Sequence, residues 1–125
     1  MKPENNDHTK KNLIWSGKDH QNITVNLYVK ERDHILESHG EMLGNNFTAI
    51  YDSVEHPDEV YDSGEFDNRS VFFKKSEEAT YYPRFFTKTI VEYNSEGTTG
   101  FIVTSMPKEK VGGNIGRRTY PEDDL

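Results

Sequence analysis

The chain of 125 residues contains no cysteine. Disulfides and thiolate-held metals are therefore excluded, and this usage fits a reducing compartment. Long apolar runs are missing as well. No stretch approaches the roughly 20 residues of a membrane-spanning helix, and the opening MKPENNDHTKK lacks the apolar core of a signal peptide. The expectation is a cytoplasmic protein that stays off the membrane. Several reactive motifs are absent too. The five histidines show no His-Glu-x-x-His spacing, which argues against zinc. The segment VGGNIG lacks the lysine and hydroxyl of a phosphate loop and reads as a plain loop. GTTGFIVTS holds no Gly-x-Ser-x-Gly elbow, and HPDEVYDSGEFD misses the EF-hand spacing. Nothing here calls for a metal or an organic cofactor.

What is present is polar but rich in rings. Hydrophobic residues make up 32% and charged residues 30%, with a mean hydropathy of -0.92. Seven phenylalanines, seven tyrosines and one tryptophan give a small core large contact areas. This length favours one domain, expected over residues 11–120, with a flexible segment at 1–10 and an acidic flexible tail at 121–125. The net charge of -7 argues at first against a nucleic-acid partner. Its distribution changes that reading: residues 31–67 carry eleven acidic side chains against Arg32 alone, whereas residues 68–120 carry nine basic against five acidic. A local positive face on an anionic protein becomes possible.

Periodicity sets the expected elements. NLIWSG reads as a first strand ended by Gly17, and ITVNLYVKE alternates Ile23, Val25, Leu27 and Val29 as a half-buried strand does. RDHILESHG reads as a short helix stopped by Gly40, with Glu31 or Asp33 at its positive end. Phe47, Ile50, Tyr51 and Val54 form one helical stripe, capped by Asn45 or Asn46 and stopped by Pro57. From residue 59 the period changes: EVYDS, SVFFKK, RFFTKTIVEY and TGFIVTSM read as strands joined by short turns, which favours antiparallel hairpins. The expected class is α+β, two N-terminal helices packed on one face of an antiparallel four- to five-stranded sheet, with a Gly-rich charged tail after it.

His34 and His39 draw notice within the first helix. An ideal helix turns about 100° per residue, so these positions lie roughly 140° apart and share a site only if the helix stops between them. Taken in order, His34-Ile35, His39-Gly40-Glu41, Pro57-Asp58-Glu59-Val60-Tyr61-Asp62-Ser63 and Val103-Thr104-Ser105 resemble the motif series of the phage-associated barnase–EndoU–colicin–RelE-like (BECR) nucleases over residues 23–120. Gly40 stands where that family usually has proline. The resemblance implies metal-independent cleavage of RNA, possible targets including tRNA, in which the ribose 2′-OH attacks and a 2′,3′-cyclic phosphate is left. It also implies a toxin-like role and a cognate immunity or antitoxin protein.

Such chemistry needs a proton carrier, cations and hydroxyls. His34 is the candidate acid or base, because an imidazole titrates near neutrality. His39 is a weaker candidate, better suited to capping the helix or to partial burial than to chemistry. Lys88 is placed to stabilise the pentacovalent phosphorus if Thr87 and Thr89 face the helices, since strand side chains alternate. Thr104 and Ser105 must then point opposite ways, and Thr104 is preferred with Ser105 as the second candidate. Arg69, Arg84, Lys110, Arg117 and Arg118 are candidate phosphate contacts, and Tyr82 or Tyr120 a base-stacking ring. The rival reading is a non-catalytic acidic binding protein, an inactive relative or an immunity partner whose residues 32–67 mimic nucleic-acid charge. Either form is expected to be a monomer or a weak homodimer paired through exposed strands.

Overall fold

The computed structural model describes residues 12–40, 47–75 and 85–122. The segment 1–10, the candidate caps Asn45 and Asn46, the candidate ligands Tyr82 and Arg84, and the end of the tail from residue 123 lie outside the described residues. In chain order the elements are β1 (Leu13–Lys18), β2 (Thr24–Tyr28), α1 (Val29–Ser38), α2 (Phe47–Glu55), β3 (Glu59–Ser63), β4 (Arg69–Lys75), β5 (Phe86–Tyr93), β6 (Thr99–Lys108) and β7 (Ile115–Tyr120). They form a seven-stranded sheet in the order β1-β2-β6-β5-β4-β3-β7.

This corrects the expected architecture. The sheet is mixed, because β2 runs parallel to β6, and it has seven strands where four or five antiparallel ones were expected. A hairpin precedes the helices, so these are not N-terminal to the whole sheet. In the antiparallel run β3-β4-β5-β6, five residues join β3 to β4 and five join β5 to β6. Both additions to it are non-local pairings. β7 falls where the sequence reads as a loop, since IGRRTY is an edge strand paired only with β3 and mostly in contact with water. A strand of that kind loses the alternation that marks a half-buried one. Val29 begins α1 and does not end β2, and Glu31 sits in the first turn, where a carboxylate suits the positive helix end.

One face of the sheet carries both helices. Val25, Leu27, Ile35, Ile50, Val54, Val60, Phe72, Val91 and Ile102 form the core there. α1 packs on β2 and β6, and α2 on β4 and β5. The sheet curls far enough that β1, at the opposite edge, also touches α2: Trp15 stacks on Tyr51 with ring centroids 4.4 Å apart and planes 8° from parallel. The β1–β2 turn is built by Asp19, whose Oδ1 accepts from the amides of Gln21 at 2.8 Å and Ile23 at 2.9 Å. Its Oδ2 accepts the Tyr93 hydroxyl at 2.7 Å. Beside it His20 packs on Phe72 and on Tyr120, with centroids 5.5 and 4.9 Å away, so the hairpin tip reaches the far edge strand. Among the described residues no helix is long and apolar enough to cross a membrane.

Candidate functional site

Alternation along β5 assigns its side chains to faces. Thr89 Oγ1 lies 2.7 Å from Ser53 Oγ of α2 and 2.8 Å from Ser105 Oγ of β6, all three buried beneath the helix. Phe86, Lys88 and Ile90 therefore point to the helix-free face, opposite Lys108, Met106 and Thr104 of β6. The link from β6 to β7 must pass β5, β4 and β3 to reach the far edge. It does so as a strap over this face, with positive φ at Gly112, Gly113 and Asn114. Glycine suits the first two, and a Cβ on Gly113 would stand 2.9 Å from Lys88 Nζ.

Lys88 is the centre of the arrangement. Only 6% exposed, its ammonium donates to the carbonyls of Gly112 and Gly113, each at 3.1 Å, and lies 5.8 Å from the Phe73 ring. Among the described residues no carboxylate pairs with it. Burial pushes its amine below the usual lysine range, and the charge of Lys108 adds to the effect. Under the strap a hollow of about 280 Å³ is lined by Lys88, Lys108, Arg69, Ser63, Glu65 and Phe66, among others. Arg69 Nε is held by Glu92 at 2.9 Å, and its guanidinium lies 4.1 Å from the Phe66 ring centre. Ser63 Oγ accepts from the amides of Glu65 and Phe66, which fixes the rim of the hollow. With Arg69 already paired to Glu92, Lys88 and Lys108 face Glu65 here, an excess of positive charge that can seat an anion.

The other candidates are scattered. His34 is exposed on α1, whose Ile35 enters the core on the helix-bearing face. The sheet thus lies between His34 and Lys88, and no common hollow joins them. Helical periodicity allowed such a meeting; the packing of α1 on β2 and β6 forbids it. His39 ends α1, its amide donating to Ile35 O at 2.7 Å. Ser105 is buried in the core and bonded to Thr89, while Thr104 lies on the Lys88 face with a buried hydroxyl that meets no partner among the described residues. Lys110 is exposed on the strap and lines a neighbouring recess. Arg117 is exposed on β7, Arg118 faces Tyr61 across the β3–β7 pair, and Tyr120 leans on His20 away from the hollow.

Lys108, Phe66 and Ser63 were missed from the sequence. Lys108 closes the strand that begins at Thr99, beyond the expected end at Met106. The signal for Phe66 was available: an aromatic ring in GEFDN, a turn with no apolar period, has no core to enter, and it is 46% exposed. No family model, curated protein or solved structure matches the chain, and its chemistry is therefore judged from its own side chains.

Proposed function

We propose that the protein is a metal-independent endoribonuclease whose centre is the cationic hollow on the helix-free face. The observation that carries this is Lys88, a nearly buried amine with no acidic partner among the described residues, beside Lys108 and Arg69 in a hollow of about 280 Å³. RNA supplies its own nucleophile. The 2′ oxygen forms a bond to the adjacent phosphorus, the bond to the 5′ oxygen breaks, and a 2′,3′-cyclic phosphate remains. The 2′-OH proton goes to water, and the departing oxygen takes a proton from the Lys88 ammonium, which burial makes a stronger acid than an ordinary lysine. Lys108 and Arg69 offset the charge on the phosphorane. His34 has no part in this version. The ordered resemblance to the BECR nucleases is the ground for a toxin-like role against RNA such as tRNA, but the histidine it points to, His34, stands outside the hollow.

One observation favours the rival. His34 stands apart from the hollow, and residues 31–67 carry eleven acidic side chains against Arg32 alone, a charge suited to a basic protein partner. The two readings separate in one assay. Purified protein is incubated with total tRNA in EDTA. Discrete fragments with cyclic phosphate ends, lost in Lys108→Ala and Lys88→Met, support the nuclease. Intact RNA together with tight binding to a basic protein supports the rival.

A further inference from the structure

Phe66 is the ring that the core cannot explain. It is 46% exposed on the β3–β4 loop, and that loop is anchored twice, by the Ser63 hydroxyl and by the Gly64 amide donating to Asn114 O at 2.7 Å. Its partner Arg69 is equally fixed: Glu92 holds the guanidinium, which lies over the ring at 4.1 Å. A flat cation and an aromatic ring held rigidly at the mouth of a cationic hollow form a stacking platform for a nucleobase. The far side of Arg69 differs in character. The recess there is lined by Asn68, Ser70 and Asn94 together with Asp62, Asp67 and Glu96. Its carboxylates repel a phosphate, whereas its amides and hydroxyls suit the donor and acceptor edge of a base.

We infer that the site takes an unpaired nucleotide of single-stranded RNA, its phosphate beside Lys88 and Lys108 and its base stacked on the Phe66–Arg69 platform. This rests on the ribonuclease reading and adds a substrate class to it. A duplex keeps its bases stacked on one another and offers no free π-face, so only unpaired segments engage the ring.

The test is fluorescence anisotropy with the full chain. The probe is a fluorescein-labelled 2′-O-methyl oligoribonucleotide of eight residues, which cannot be cleaved, used alone and annealed to its complement. The wild type is expected to bind the single strand about tenfold or more tighter than the duplex. Phe66→Ala should weaken single-strand binding by about tenfold, and Phe66→Trp should retain it. Equal binding of single strand and duplex, or full affinity in Phe66→Ala, overturns the platform while leaving RNA binding in place. Failure of the wild type to bind either probe overturns this inference and the ribonuclease reading together.

Discussion

The three buried hydroxyls beneath α2 give a prediction whose sign is set by proton direction. Ser53 Oγ donates to the Ile50 carbonyl at 2.6 Å, and a carbonyl can only accept. Each hydroxyl has one proton, so Thr89 must donate to Ser53, and Ser105 must donate to Thr89. Replacing Thr89 by valine keeps the shape and leaves Ser53 its own acceptor, but the Ser105 proton, in a fully buried residue, loses the Thr89 oxygen, its one side-chain acceptor among the described residues. An orphaned buried donor costs about 1–3 kcal/mol. Ser105→Ala removes a donor whose loss orphans nothing, and should cost under about 1 kcal/mol. The double variant Thr89→Val/Ser105→Ala should therefore be more stable than Thr89→Val alone. Urea unfolding monitored by Trp15 fluorescence, with the slopes compared to confirm an unchanged folded state, measures all three. A double variant no more stable than Thr89→Val would refute the proton direction, and with it the purely structural role given to Ser105.

His34→Ala should leave any tRNA cleavage in EDTA within about twofold of wild type, because the imidazole lies across the sheet from the hollow; a large loss would return His34 to the chemistry. Burial lowers the folded-state pKa of His20, Asp19 opposing in part. The unfolded chain therefore takes up its proton first: the contribution is complete above the ordinary value of 6.5 and is lost as pH falls below it toward the lowered folded value. Urea midpoints from pH 5 to 8 should drop on acidification by less in His20→Gln than in wild type. Gly113→Ala combines a φ of +85° with a Cβ 2.9 Å from Lys88 Nζ. It should cost about 1 kcal/mol or more by melting and should weaken binding of tripolyphosphate.

The sequence alone determined whatever depends on near neighbours. The stripe at Phe47, Ile50, Tyr51 and Val54 named α2, and the strands from Glu59 to Met106 followed from β-branched and aromatic runs set between turns. Alternation also told that Lys88 and Thr89 part company across β5, and the split between Thr104 and Ser105 follows the same rule. Only the tertiary structure decided the rest. The parallel pairing of β2 with β6 joins segments about 75 residues apart, and no local pattern encodes such a choice. β7 carried no apolar period because its partner and its surroundings lie elsewhere in the chain. The site was hidden for the same reason. Lys88, Arg69, Phe66 and Lys108 are neighbours because a strap crosses three strands and because β4 and β5 share a register. His34 is excluded because a helix one residue pattern describes perfectly well can still dock on the wrong side. Spacing fixes which way a side chain points within its own element, whereas the face that element presents to the others is settled by packing that only the folded chain can make.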